Sequence, residues 1–427
     1  MTTASDAPGL RIAITGGGLA GATLAHALIK HSHLDVRLYE SASEFSERGA
    51  AVGLSGNAQR ALVELGLSLR EALDKAGAVR MNSSRIQIGS GRNSGTLVFD
   101  LGTEEALTVV HRASFLRELL QPVPRSIMYT SKKLIKVDDA DDKGVLLHFK
   151  DGTTELVDAL IGADGVHGYV RKHILGADHP ATEPVFAGWW DCRNLVPYEK
   201  AREKLGEKYF EEDRQYGWLG EGGFIMHDVL EHGKLVQCVG AILTDEPWDS
   251  TEWKRSLDQK KLEESFAPWL DGPIAKGMIE LLLDQEEPLA FSQWEHKNAP
   301  TYVKGRVCVI GDAAHALTPW QGSGAGQAIE DAMILETLLA TVKNPEQLGP
   351  ALKVYDEVRR TRTQRIAESS RLSGRIMCGK GDGVGLDPDK LREALAKRWE
   401  FIHEFDLKKH KEEALALLNQ QSTSVLK

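Results

Sequence analysis

"RIAITGGGLAGATLAHALIKHSHLDVRLYE", Arg11 to Glu40, decides how the rest of this chain is read. Arg11 to Thr15 reads as a short buried strand, and Leu19 to Ile29 has helical spacing with small residues on one side. Between them Gly16, Gly18 and Gly21 make a G-x-G-x-x-G, and a second strand, "DVRLYE", ends at Glu40, 19 residues beyond Gly21. Gly16 permits the tight turn, Gly18 lets the backbone approach a pyrophosphate, and Gly21 lets the helix pack closely on the strand. The free N–H groups at the helix start, around Leu19 and Ala20, and the helix dipole suit the phosphates. Glu40 suits a ribose diol and would repel a 2′-phosphate. Strand, glycine spacing and acid together predict a βαβ dinucleotide-binding unit, and with it an α/β, Rossmann-like domain.

At 427 residues the chain has room for two or three domains, and 42% hydrophobic content is ordinary for a packed protein. The formal charge of -10, with Lys and Arg scattered, leaves no electrostatic footprint for nucleic acid or an anionic membrane. Cys192, Cys238, Cys308 and Cys378 lie far apart with no Cys-x-x-Cys spacing, so neither a zinc site nor a disulfide framework is expected. The start "MTTASDAPGL" lacks a basic segment before an apolar core, and no window approaches a transmembrane run. The expectation is a cytoplasmic protein without a transmembrane segment, monomer or homodimer, whose partner is a small molecule.

From about Ala187 to Trp294 short strand-like segments ("GWWDCRNLVP", "GFIMHDVL", "KLVQCVGAIL") carry seven of the nine tryptophans. Alternating, aromatic-rich strands of this kind fit an antiparallel sheet facing the substrate. The parallel-type pattern resumes at "DALIGADG", Asp158 to Gly165, and again after Val307, so the nucleotide domain is discontinuous. The expected partition is 1–75, 101–180 and 291–375 for that domain, 76–100 and 181–290 for the antiparallel sheet, and 376–427 for a C-terminal helical segment. Asp387-Pro388 reads as an N-cap with proline at the first helical position.

The remaining stretch with chemistry in it is "VCVIGDAAHALTPWQGSGAGQAIEDA", Val307 to Ala332. A strand-like run ends in Gly-Asp, crosses a loop with His315, Pro319 and three glycines, and becomes a helix. Taken in order, the N-terminal fingerprint with Glu40, "DALIGADGVHGYVR" and "GDAAHALTPWQGSGAGQAIEDA" resemble the single-component FAD-dependent aromatic hydroxylases, the group A flavin monooxygenases. The likeness is to the salicylate hydroxylase-like branch, which includes fungal hydroxylases of phenolic polyketides. It extends through "GAAVGLSGNAQRALVELGL", "VVHRASFLREL", "YDEVRRTRTQRI" and "RWEFIHEFDL". The resemblance implies a p-hydroxybenzoate hydroxylase-like fold: a Rossmann-like FAD-binding domain with an inserted antiparallel-sheet substrate domain.

It also implies roles. Asp312 hydrogen-bonds the FAD ribityl chain, Arg112 reaches the flavin near its phosphates, and Arg48 and Ala51 join the cofactor contacts. Asp164 serves both FAD and the nicotinamide, in a motif where a serine is usual at the position of Gly168. Pro319, Gly322, Gly324, Ala325 and Gly326 run beside the isoalloxazine ring, and the positive end of the following helix stabilises anionic reduced flavin. His315 is structural. With no second dinucleotide fingerprint, NADPH or NADH serves as a transient reductant.

The chemistry implied is hydride transfer to FAD, addition of dioxygen at C4a, and delivery of a hydroxyl from the C4a-hydroperoxyflavin to an electron-rich aromatic ring. Arg193 aligns with an arginine on the substrate side that pairs with phenolate or carboxylate and keeps its charge when desolvated. His227 either accepts the phenol proton or is a packed histidine. Trp190, Trp218, Phe224 and Pro319 are the expected pocket residues, with Trp189 and Trp190 on opposite faces of their strand. The alternative is a flavin-dependent epoxidase or oxidative rearrangement of an indole or terpenoid on the same FAD domain.

Overall fold

A computed structural model gives the fold. It describes residues 9–46, 51–140, 143–212, 214–230, 233–249, 252–272 and 274–425, without the side chains of 82–83, 101–106 and 422–425. The class is α/β, as expected. Leu10–Thr15 lies inside a six-stranded sheet ordered Val303–Lys304, Val307–Val309, Ala159–Gly162, Leu10–Thr15, Leu34–Tyr39, Met128–Tyr129. All neighbours are parallel except the outermost pair, Val303–Lys304 on Val307–Val309. Ile12, Ala13 and Ile14 have no exposed surface, the unbroken apolar run of a strand covered on both faces.

Register carries function here. Thr15 pairs with Tyr39 on one side and Gly162 on the other, and Gly162 pairs with Val309. Gly16, Glu40, Asp164 and Asp312 therefore all leave the sheet at one carboxyl edge, where open α/β sheets bind their ligands.

A second, nine-stranded sheet runs Lys254–Ser256, Leu289–Glu295, Val185–Pro197, Leu235–Leu243, Gly223–Leu230, Gln215–Gly220, Val79–Ile88, Leu97–His111, Ala51–Leu54. It is antiparallel except where Gln215–Gly220 lies parallel to Val79–Ile88. Leu97–His111 runs unbroken across the expected 100/101 boundary, and Leu289–Glu295 across 290/291. The helices Tyr198–Leu205, Gln259–Ser265 and Ala275–Leu283 pack Ala201, Leu262 and Met278 on one face, against Trp190, Trp218 and Ile225. The opposite face meets the flavin-type loop: Trp320, Met377, Leu391 and Leu395 pack on Trp189, Leu219 and Phe224. Asp387 caps the helix Pro388–Leu395, accepting from Asp389 N–H and Lys390 N–H as the Asp-Pro pair foretold.

The Gly324–Leu339 helix is fixed from behind by the 30-residue helix Leu348–Met377. Arg359, with no exposed surface, donates from Nε to Asp331 (2.8 Å) and from Nη1 to Glu330 (2.6 Å). Arg362 grips both Glu330 oxygens (2.8 and 2.9 Å) and the Phe401 and Ile402 carbonyls beyond. Burial alone would raise the Glu330 proton affinity, but Arg359 and Arg362 hold its carboxyl well below the usual carboxylate range. Arg359→Ala leaves two carboxylates buried without this partner and is expected to cost about 3–5 kcal/mol, read as a lowered urea midpoint in tryptophan emission. An unchanged midpoint would remove the network from that role.

Candidate flavin and substrate site

The site starts at the glycine loop. Gly16 has φ +106°, and a Cβ there would lie 2.0 Å from the Ala163 carbonyl oxygen; at Gly21 it would lie 1.9 Å from the Gly16 oxygen. Only glycine allows that approach of turn, helix and neighbouring strand. Gly18 is the extended N-cap of the helix Leu19–Leu28, so the Leu19 and Ala20 amides open that helix. Glu40 accepts from Gly17 N–H and Ala42 N–H, each at 2.7 Å, which ties the second strand's end to the glycine loop.

Gly311 joins this loop to the second motif. It has φ +58°, and its missing Cβ would stand 3.0 Å from Ala20 Cβ and 3.4 Å from Ala328 Cβ. The fingerprint helix and the Gly324 helix thus converge on one residue, and Asp312 follows it directly. Asp312 opens the short helix Asp312–His315 with its side chain exposed, and its carboxylate has no hydrogen bond among the described residues. Gly322 is left-handed (φ +61°), and a Cβ added at Gly322 or Gly324 would meet open space. Bare backbone beside an unpaired carboxylate at a helix N-terminus suits a polyol joined to an anionic ring system, so these residues fit FAD.

The turn is held from beneath. Asp331 accepts from Gly311 N–H (3.0 Å) and His315 Nε2 (2.6 Å), so His315, 4% exposed, braces the turn. Arg171 donates to the Ala181, Ala313 and Lys297 carbonyls at 2.7, 3.2 and 3.1 Å, and to that of Ala314. Burial brings its guanidinium down to about 10. Asp164, pushed up to about 6 by burial against the pull of Val170 N–H, accepts that amide at 3.0 Å through Oδ2, while Oδ1 has no partner among the described residues. A Cβ at Gly168 would sit 2.2 Å from that Oδ1. Glycine where the resembling family has serine is therefore what lets Asp164 fold back onto the helix Tyr169–Leu175. Arg112 opens the helix Arg112–Leu120 one residue past His111, the cross-strand partner of Ala51. Arg48 lies outside the described residues.

The near face of the nine-stranded sheet splits into two halves. Its apolar half packs on the loop, with Trp320 tilted on Trp189 and edge-on to Phe224, centroids 5.6 Å and 5.8 Å apart. Its other half is polar. Arg193 pairs with Asp191 (2.7 Å) and lies over Phe291, and Asp191 also takes a hydrogen bond from Gln293. One row along, Asp228 accepts from Gln215 (3.0 Å) and Gln237 (3.3 Å), and Gln237 in turn accepts from Ala51 N–H (2.8 Å).

Strand parity decides which expected pocket residues meet. Phe224 and Arg193 share one face of the sheet with Trp189, and of the three Trp189 and Phe224 meet the loop. Trp190, Trp218 and His227 face the covering helices instead. His227 is fully buried, stacked among Phe210, Tyr216 and Trp218 with centroids 4.9, 5.4 and 5.6 Å away, and the structure does not bring it to Arg193 or the glycine loop. Burial lowers it to about 4; its Nε2 bonds the Tyr209 carbonyl and its Nδ1 has no partner among the described residues. Asp191, Asp228, Gln237, Gln293 and Trp320 were missed from the sequence. In "GFIMHDVL", Phe224 and His227 have opposite parity, so a pocket containing Phe224 calls for Asp228.

Residues 10–370 match the family model described as FAD binding domain. A 6-methylsalicylate 1-monooxygenase of Aspergillus terreus is 37% identical over 416 residues, 95% of this chain and 92% of that protein. A salicylate hydroxylase of Pseudomonas putida is 33% identical, covering 96% of each. A solved salicylate hydroxylase substrate complex superposes with a TM-score of 0.83 at 30% identity, over 96% of this chain and 98% of that one. The chain belongs to the FAD-binding-domain family of flavin monooxygenases. It is an FAD-dependent monooxygenase of the salicylate hydroxylase-like type, and no helix among its described residues is long and apolar enough to cross a membrane.

Two outcomes follow from the geometry. Asp312→Ala removes the unpaired carboxylate from the turn and is expected to weaken FAD binding by roughly 10- to 100-fold in a flavin-fluorescence titration. His227→Phe is expected to leave monooxygenase turnover intact and to reduce acid lability. The folded state holds His227 neutral down to about 4, whereas the unfolded chain protonates it below about 6.5. Wild-type stability is therefore lost as pH falls from about 6.5 to 4, and the variant's melting temperature should fall less over that window.

Proposed function

We propose that this chain hydroxylates a phenolic aromatic ring, consuming NAD(P)H and dioxygen. One observation carries the reading: a bare glycine loop suited to a flavin packs through Trp320 on the aromatic half of a sheet face whose other half is polar. FAD, when bound, supplies hydride acceptance from NAD(P)H and activation of dioxygen at its C4a carbon. The rest belongs to the chain. Gly16, Gly18, Leu19, Ala20 and Gly21 receive the pyrophosphate, with Glu40, Arg48, Ala51, Arg112 and Asp164 around the cofactor. Asp312 takes the ribityl hydroxyls, and Pro319 to Gly326 present bare backbone and a helix N-terminus to the ring, where negative charge is favoured.

Trp189, Phe224 and Trp320 keep water from the reacting end, which limits loss of reducing equivalents as hydrogen peroxide. Arg193 offers a persistent positive charge toward a phenolic oxygen or a neighbouring carboxylate, although Asp191 already neutralises part of it. The names of the relatives, a 6-methylsalicylate monooxygenase and salicylate hydroxylases, support a salicylate-like or polyketide-derived phenol. Epoxidation or rearrangement of an indole or terpenoid would ask for an apolar pocket. Asp191, Arg193, Asp228, Gln237 and Gln293 favour the phenol instead.

The test is a screen of NAD(P)H consumption against salicylates, resorcylic aldehydes and indoles, with product masses measured. A phenol gaining one oxygen atom is the expected result; a protein that binds no flavin, or an indole as the sole substrate, would overturn the reading. Arg193→Ala is expected to keep FAD bound while product formation falls by at least about tenfold, and retained turnover would remove Arg193 from the site.

A further inference from the structure

We propose that Asp228 is the base that takes the phenol proton, turning the bound substrate into the electron-rich phenolate; this rests on the phenol hydroxylation proposed above. Asp228 lies on Gly223–Leu230 at the parity of Phe224 and Met226, the residues of that strand turned toward Trp320 and the glycine loop. Its cross-strand partner Gln237 takes the amide of Ala51 on the strand that follows the Arg48 segment. The hydrogen-bonded line from Ser84 through Gln215, Asp228 and Gln237 to Ala51 runs across the polar half of the near face.

Structure alone does not account for a carboxylate there. Asp228 is 2% exposed and, among the described residues, forms no ion pair, so its desolvation is offset by two neutral amides only. Each of its oxygens takes a single donor, and a carboxylate accepts about four, so each retains capacity for a phenolic O–H. The groups facing it are Gln215 and Gln237 on the flanking strands. The charged pair Asp191–Arg193 lies on the same face two strands away, and the Cys238 thiol next to Gln237 is pushed up to about 12 by burial and by Asp228. Burial pushes Asp228 itself up to about 6, against both amides. A base with that affinity is ionised at neutral pH yet basic enough to accept a proton. The step balances simply: the carboxylate gains the proton and becomes a carboxylic acid, the O–H bond breaks, and its electron pair stays on the phenolate oxygen.

The test follows product formation against pH with salicylate and 2,4-dihydroxybenzaldehyde, in wild type and Asp228→Asn holoenzyme. Wild type is expected to lose kcat/KM as pH falls through about 6. In Asp228→Asn this acid limb should vanish, hydroxylation should drop by at least about 100-fold at neutral pH, and the residual rate should climb toward the phenol's own ionisation. Flavin content should match wild type, because the amide keeps the side chain's shape and loses only one of the two glutamine contacts, its Nδ2 being unable to accept. A wild-type profile flat across pH 5 to 7, or an asparagine variant with unchanged rate and profile, overturns the proposal. Should Asp228→Asn fail to hold FAD, Asp228→Glu decides: it keeps a carboxylate there and should keep the acid limb at a shifted pH, whereas a limb unmoved from wild type, as Asp164 with its similar affinity would give, overturns the proposal. Phenol turnover absent from wild type would sink the function proposed above, whereas turnover insensitive to Asp228 sinks only this assignment.

Discussion

The buried contact between Arg359 and the Glu330–Asp331 pair is the constraint on which the flavin side depends. A helix that opens Gly-Ala-Gly is poorly stabilised at its own N-terminus, because glycine favours no helical backbone. Yet that terminus has to stand still for its amides to act on a ring. The chain anchors the helix from within, just beyond its first turn, where Glu330 and Asp331 are clamped by guanidinium groups from the Leu348–Met377 helix. Asp331 then passes the constraint forward through Gly311 N–H and His315 to the turn that carries Asp312. One carboxylate therefore couples the long helix, the glycine helix and the turn.

That coupling explains why motifs nearly 300 residues apart in the chain act as one site. The parallel register delivers Gly16, Glu40, Asp164 and Asp312 to the same sheet edge. Gly311 then sets the distance, since Ala20 and Ala328 both crowd the space of its missing side chain. Arg171 supports the turn from the opposite side through carbonyl oxygens alone, and a lysine could not supply donors in so many directions. Position rather than charge is what these interior groups contribute.

The cofactor half of the molecule was legible because its motifs are local: glycine spacing, an acid after the second strand, and Gly-Asp before a glycine-rich helix. Each of those signals lies within a few residues of the backbone it shapes. The substrate half was less legible because its residues are chosen by which face of a strand they occupy, and a strand reverses that choice at every step. Phe224 and Arg193 share the face that carries Trp189, while Trp190, Trp218 and His227 lie on the other. The alternation inside "GFIMHDVL" and "WWDCRN" held the information, but it needed one residue of known facing to set the phase. Trp320 packing against Trp189 and Phe224 supplies that phase, and it comes from a contact between distant segments.

Once the phase is set, the adjacent pair His227 and Asp228 shows how burial sorts chemistry. Desolvation disfavours whichever form is charged, so the same loss of water lowers the histidine to about 4 and raises the aspartate to about 6. At neutral pH the histidine is a neutral ring packed among aromatic residues, with little reason to trade protons. The aspartate is an anion with two amide donors and spare acceptor capacity, on the face it shares with Phe224. An electrophilic oxygen donor needs electron density in the ring it attacks, and removing a phenolic proton is the least demanding way for side chains to provide it. Strand parity thus sorts the two residues: the far face supplies a rigid aromatic core, and the near face carries the polar groups.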